Sequence, residues 1–433
     1  MRKGQTAGLV QASLRAHSSI ALVCCALLYL ICVSGTAIVL YEEWQRFEQS
    51  EAPEMASIDA PTVQRAAENV LAHESDRDTT THLYVHLPTD ALPRTTVTTD
   101  TQAFHVDDSG AIAMPEENAW AEFVLALHYR LNLPAVIGMS LVGAFGAMIV
   151  ALSISGILAH PRVFRDAFRL RARRRGDVST IDWHNRLAVW TLPFALATAL
   201  TGSMIGLFYV SGGSMAAAAY GGDSEAAIAP IFGSEPEPDA APAALANTVP
   251  ALEYMAREYP EVRPSYVIVH DPQTAGQHIQ IVGIHAQRLI FGEYYAFDGD
   301  GTFTGTAGMA DGTVGQQLAA STYNLHFGNY GGLPVKVAYI VFGIALTIVV
   351  ATGTFIWLNK RERRGQPSGG LRAAWWGIVA GVPAGLVTTL AARLAAGNDA
   401  PFTAIFWLTC LLAVGLALAV RRRAGGSLSP SRA

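Results

Sequence analysis

The sequence predicts an α-helical membrane bundle of six spans, four from a tandem repeat and two appended, carrying two small α+β domains outside the bilayer. Three observations predict it: six apolar segments of span length, a sorting of charge between loops, and an internal repeat. The 433 residues are 51% hydrophobic and 15% charged, whereas soluble domains carry about 25% charged residues. A net charge of -5 implies no basic surface, so nucleic acid is not an expected partner and the lipid bilayer is. Cys24, Cys25, Cys32 and Cys410 all lie in apolar runs, away from any position that suits an extracytoplasmic disulfide or a thiolate zinc site.

The apolar segments fall at 18–41, 134–158, 187–210, 334–358, 373–391 and 402–420, and a helical crossing takes about 20 residues. The first is long for a signal peptide, and no small-residue cleavage site precedes Tyr41-Glu42-Glu43-Trp44, so it reads as a retained anchor. Residues 1–17, 159–183, 359–372 and 421–433 hold 19 of the 30 Lys and Arg. The long loops 42–133 and 211–333 hold 5 and 3, against 17 and 13 Asp and Glu. Short basic loops stay cytoplasmic. Both termini are therefore expected inside, and the two acidic loops outside, on the periplasmic face of a bacterial inner membrane. The basic stretch 162–175 needs no further explanation than this topology.

The repeat is span, outer domain, span, occurring twice; the hairpin 373–420 and the tail 421–433 follow. His17 precedes Ser34-Gly35 by the same interval as His184 precedes Thr201-Gly202. His128 precedes Leu133-Pro134 and a span with Ser155-Gly156, and His326 precedes Leu333-Pro334 and a span with Thr352-Gly353. Each outer loop opens on a helical pattern, at 63–71 and 252–259. Alternating strands follow at 83–87, 267–270, 278–282 and 289–296, with Asp-Gly turns. Residues 212–246, rich in Ala, Gly and Pro, read as a flexible lead-in.

Copies of a two-span unit have the same orientation, so a pseudo-twofold axis along the membrane normal is expected. It sets His17 opposite His184 at the inner edge and His128 opposite His326 at the outer edge. Paired imidazoles across an axis suit a six-coordinate haem, giving two bis-histidine haem b sites. Eighteen residues make five helical turns, so Gly35 shares a face with His17 about 27 Å along. The same relation is expected of Gly202 and His184, offering a surface on which a flat macrocycle can pack. Arg15, Arg130, Arg186 and Lys336 lie near enough in sequence to meet propionates, and equally suit snorkelling anchors. His160 stands as the substitute ligand. His86 and His270 are repeat-equivalent in the outer domains, whereas His73, His82, His105, His278 and His285 show no metal-ligand spacing. Tyr323, Asn324 and Tyr330, beside His326 and the run 328–332, are candidates for a docking rim.

Trp183-His184-Asn185-Arg186-Leu187 with Leu200-Thr201-Gly202, and Leu325-His326-Phe327-Gly328 with Gly332-Leu333-Pro334 and Ala351-Thr352-Gly353, resemble the opening and closing spans of the PepSY-associated transmembrane family. These are often called iron-regulated membrane proteins and include periplasm-facing ferric siderophore reductases. The resemblance covers about residues 10–360. It departs at Ala16, which stands where the family has Trp, and at Tyr129-Arg130 after the first outer histidine. The resemblance implies that the outer modules are PepSY domains, and that His17, His128, His184 and His326 ligate haem iron. It also implies reduction of a ferric siderophore or other ferric chelate. The chain shows no flavin or nicotinamide domain, so a quinol or a cytoplasmic flavoprotein is the expected electron donor. The alternative is a non-redox PepSY protein that binds an extracytoplasmic peptidase or cell-envelope partner.

Overall fold

No proline falls between Lys3 and Ile38, and apolar residues dominate its second half, so this stretch forms one unbroken helix, α1 (Lys3–Ile38). The computed structural model describes residues 3–73, 80–168, 177–233, 236–285, 289, 293–307 and 312–426. After α1 come α2 (Tyr41–Glu48), α3 (Ala60–His73), β1 (His82–His86), β2 (Thr95–Thr98), β3 (Ala103–Val106) and β4 (Ile112–Pro115). Then follow α4 (Ala119–Arg130), α5 (Ala135–Ala159), α6 (Val163–Ala167), α7 (Asp177–Trp190) and α8 (Leu192–Gly206). The second copy continues through α9 (Phe208–Ala219), α10 (Ser224–Phe232), α11 (Val249–Glu258), β5 (Val262–His270), β6 (His278–His285), β7 (Glu293–Phe297) and β8 (Phe303–Thr306). The chain ends with α12 (Val314–Phe327), α13 (Gly332–Arg363), α14 (Gly369–Ala396) and α15 (Phe402–Gly426). Of the stretches singled out in the sequence, 169–175, 234–235 and 290–292 lie outside the described residues, as does the His285 side chain.

Two units result: a helical one of Met1–Tyr41, Ala119–Leu207 and Leu333–Ala433, and a β-rich one of Glu42–Asn118 and Phe208–Gly332. Among the described residues, five helices are long and apolar enough to cross a membrane: Gly8–Ile38, Ala135–Ala159, Gly332–Arg363, Gly369–Ala396 and Phe402–Ala424. The sixth expected span is a pair, Ser179–Trp190 and Leu192–Gly206, bent by 64°. Pro193 lies in the first turn of α8 and cannot donate an N–H to the ladder of α7. That bend corrects the helical-wheel relation expected between His184 and Gly202, whereas α1 carries His17 and Gly35 on one continuous helix. Leu411, Leu412 and Leu416 of α15 are strongly exposed, as residues facing acyl chains would be.

Helices in lipid associate through close packing. An added Cβ on Gly206 would lie 2.7 Å from the Gly143 Cα, so α5 and α8 meet backbone to backbone. Gly377, Gly381 and Gly385 serve α14 in the same way against Val414, Cys410 and Phe406 of α15. This appended hairpin is tied to the repeat: Trp120 Nε1 donates to Thr389 Oγ1 at 3.0 Å, and the Tyr29 hydroxyl donates to the Val379 carbonyl at 2.9 Å.

The modules of the two long loops are not separate. They share one antiparallel sheet of order β4-β3-β2-β1-β5-β6-β7-β8, symmetric about the β1–β5 junction. Its core face aligns Leu83, Val269, Ile279 and Phe297 in one row and Val97, Val85, Val267, Ile281 and Tyr295 in the next. Both rows pack against Val63, Ala66, Ala67 and Val70 of α3 and Ala251 and Met255 of α11. Gly110 and Gly301 take positive φ of 84° and 78° at the equivalent Asp-Gly turns. The lead-in expected over 212–246 is helical in its first part, in α9 and α10. Alanine carries the highest helix propensity, and Asp223 caps α10 by accepting from the Ala226 N–H at 3.0 Å.

The opposite face alternates accordingly, with His105, Thr96, His86, Tyr266, Val282 and Tyr294 in one row and His82, His270 and His278 in another. Burial pushes the imidazoles of His86, His105 and His270 down to about 4, Arg94 adding to the effect on His105, and His278 and His82 to that on His270.

An unfolded chain binds protons on these rings near pH 6.5, the folded one near 4. Folding stability is therefore full above 6.5 and falls as the pH drops towards 4. Thermal unfolding of the protein in detergent is expected to show that decline, and His105→Gln to flatten it; a profile level across this window would contradict the burial of these rings. Gly206→Ala is expected to cost about 1–3 kcal/mol, read as a lowered unfolding temperature.

Candidate functional site

Three of the four membrane-edge histidines belong to the helical unit, and each is held in the same way. His17 on α1 places Nδ1 2.9 Å from the Leu152 carbonyl and 3.3 Å from the Ser155 hydroxyl of α5. His184 on α7 places Nδ1 3.0 Å from the Val349 carbonyl and 3.2 Å from the Thr352 hydroxyl of α13. His128 on α4 places Nδ1 3.0 Å from the Ile31 carbonyl and 3.5 Å from the Ser34 hydroxyl of α1. A glycine follows each hydroxyl, and the ring packs on it. An added Cβ would lie 3.3 Å from the His17 ring at Gly156, 3.2 Å from the His184 ring at Gly353, and 2.5 Å from the His128 ring at Gly35.

A carbonyl can only accept. The Ser34, Ser155 and Thr352 hydroxyls donate to carbonyls of their own helices, which leaves their lone pairs for the ring. Nδ1 therefore carries the proton in all three histidines, and in His17 and His184 the Nε2 lone pair is left to bind a metal. His17 and His184 lie close enough for their charges to interact. Among the described residues, no group of three or more His, Cys, Asp or Glu is gathered to hold a bare ion. A pair of neutral imidazoles, each already engaged at Nδ1, has the donor chemistry by which His17 and His184 would hold a haem iron.

His326 belongs to the β-rich unit, on the last turn of α12, which Gly328 ends at a φ of 77°. Its ring lies 5.4 Å from Phe327, which stacks on Tyr323 at 4.3 Å. Of the rim candidates, Tyr323 and Tyr330 are exposed while Asn324 is buried. The neighbour of Gly35 differs from the flat macrocycle the spacing suggested: the edge of the His128 imidazole fills the gap. Arg15 is exposed, and Arg186 and Lys336 are buried and engaged in polar interactions. Arg130 lays its guanidinium over Tyr129 at 5.5 Å and keeps a buried Nε without a hydrogen-bond partner among the described residues. That suits an anionic group brought beside His128. His160 caps α5, its N–H donating to the Gly156 and Ile157 carbonyls.

Sequence reasoning passed over Gly156, Gly353 and the three hydroxyls as parts of the site. Their signal was present: a residue, then Ser or Thr three positions on, then Gly, all on one helical face. Thr198, Thr201 and Gly202 repeat it.

The helical unit and its appended sheet define a multi-pass membrane protein with an α+β unit inserted between its spans. The chain belongs to the PepSY-associated TM region family, whose model matches residues 14–360. It is also 26% identical over 254 residues to an uncharacterized protein of Pseudomonas aeruginosa, a match covering 55% of this chain and 64% of that relative's length.

In 15N NMR spectra of histidine-labelled protein, His17 and His184 are expected as neutral rings protonated at Nδ1. Protonation at Nε2 instead would remove the argument for a ligand.

Proposed function

We propose that this protein is an electron conduit of the bacterial inner membrane that reduces a ferric siderophore or other ferric chelate on the periplasmic side. Three imidazoles bonded at Nδ1 to a main-chain carbonyl, each seated on a glycine, carry this reading. His17 and His184 would hold one haem b; the sequence repeat extends the same role to His128 and His326 for a second. When bound, haem b supplies one-electron chemistry between ferric and ferrous iron. The protein's own contribution is orientation and protection. The carbonyls of Leu152, Val349 and Ile31 fix each tautomer and raise the basicity of Nε2. The glycines let the rings sit against helix backbone, and the apolar bundle excludes water.

A quinol or a cytoplasmic flavoprotein is the donor class, giving one electron per ferric ion. Ferrous iron binds hard oxygen ligands more weakly, which releases it for uptake. The basic short loops support a topology with both termini in the cytoplasm and the β-rich unit in the periplasm.

Detergent-purified protein is expected to show a visible haem spectrum that dithionite shifts, and His17→Ala or His184→Ala to lose about half of it. A colourless, fully folded protein would overturn the redox reading and favour a non-redox PepSY protein that binds an envelope partner.

A further inference from the structure

The hairpin of α14 and α15 stands outside the tandem repeat and carries no histidine, yet its polar bonds reach the helices that seat two of them. The Trp375 indole N–H donates to the Ala351 carbonyl of α13 at 3.2 Å. The Val379 carbonyl accepts from the Tyr29 hydroxyl of α1 at 2.9 Å. The Thr389 hydroxyl accepts from the Trp120 indole of α4 at 3.0 Å, while itself donating to the Gly385 carbonyl at 2.9 Å. Ring contacts accompany these bonds. Trp375 meets Tyr29 edge-on at 5.9 Å, and Phe406 of α15 meets Phe123 of α4 at 5.9 Å. Tyr29, Trp120, Trp375 and Thr389 are all buried.

The positions of these bonds put the hairpin behind the seats. Helix residues are spaced about 100° apart around the axis, so positions two apart lie about 200° apart, on opposite faces. His184 reaches the Val349 carbonyl, and Trp375 reaches Ala351, two residues on. Helix α13 is thus held between the histidine on one face and the hairpin on the other. Helix α1 repeats the arrangement: His128 reaches the Ile31 carbonyl, and Tyr29, two residues before it, turns to the hairpin. Helix α4 carries both His128 and Trp120, so the hairpin grips the helix that presents this ring as well as the one that receives it. His17 differs, because its seat lies on α5, which none of the three bonds reaches. Water does not press helices together inside a bilayer, so a helix gripped from one side alone has only packing to hold it in place.

We propose that the α14–α15 hairpin is a positioning brace for His184 and His128. Trp375, Tyr29 and Thr389 hold α13, α1 and α4 from behind, and so fix the distance between each Nδ1 and its carbonyl. That distance sets how strongly the carbonyl draws on the N–H, and with it how basic Nε2 becomes. The consequence for iron rests on the redox reading above; the brace itself does not.

The test uses the full chain in nanodiscs, 15N-labelled at histidine and kept under dithionite so that any haem iron is ferrous. Trp375→Phe is expected to shift the His184 Nδ1 resonance, Tyr29→Phe and Thr389→Val to shift that of His128, and all three to leave His17 in place. In protein that holds haem, spectroelectrochemical titration of Trp375→Phe is expected to show the midpoint potential of one haem moved and the other unchanged. Tyr29→Phe deletes a single hydroxyl and keeps the ring against Trp375, so its result stands even where Trp375→Phe does not fold. Variants that unfold at a lower temperature while every histidine resonance stays in place would make the hairpin a structural prop and overturn the proposal, as would shifts of equal size in all three rings. Selective shifts in a protein without a reducible spectrum would sink the redox reading and leave the brace standing. A reducible spectrum with unmoved resonances and potentials would do the reverse.

Discussion

The helical unit depends on one recurring contact, an imidazole hydrogen-bonded to a helix carbonyl and seated on a glycine. A polar ring inside an apolar bundle is costly unless its donor is satisfied. A helix carbonyl already accepts one N–H but keeps a second lone pair. Glycine is what lets the ring come near enough to use it. Because each histidine reaches a different helix, the contact also assembles the unit. His17 joins α1 to α5, His128 joins α4 to α1, and His184 joins α7 to α13. Each such bond contributes about 1 kcal/mol net, and leaving its donor buried and unmet costs about 1–3 kcal/mol. Position and protonation of these rings are thus set by the same atoms that set the spacing between helices.

Much of this was legible in the sequence because it is local or repeated. Hydropathy located the spans, and the matched intervals around His17 and His184, and around His128 and His326, marked the histidines as a set. What escaped was pairing at long range. Ser34-Gly35, Ser155-Gly156 and Thr352-Gly353 stood out as repeat markers, but no interval says that Gly35 faces His128. Pro193 was visible within an apolar run, yet a proline there is compatible with a mild kink as well as a 64° break. The alanine-rich stretch after the third span looked unstructured through its glycines and prolines, and alanine won in its first part.

The sheet makes the same point at larger scale. Alternation in 83–87 and 267–270 correctly marked buried faces, but the register of β1 against β5 joins residues almost two hundred positions apart. Four-residue strands such as β2 and β8 are too short for alternation to identify. Once the register is known, the polar positions of every strand fall on one side, and the scattered histidines and tyrosines become a surface.

The β1–β5 junction also decides how this unit meets other chains. Two separate modules would present four strand borders with unmet backbone donors and acceptors, each a template for unwanted β-addition. Joined at their centres, they leave the borders β4 and β8, four residues each. Pro115 at the end of β4 has no N–H to offer, and its carbonyl is taken by the Gln49 side chain at 2.9 Å. Gly305 interrupts β8 with a φ of 155°. Fusion of the repeat therefore acts as a guard against edge-to-edge polymerisation of a strongly acidic β-rich unit.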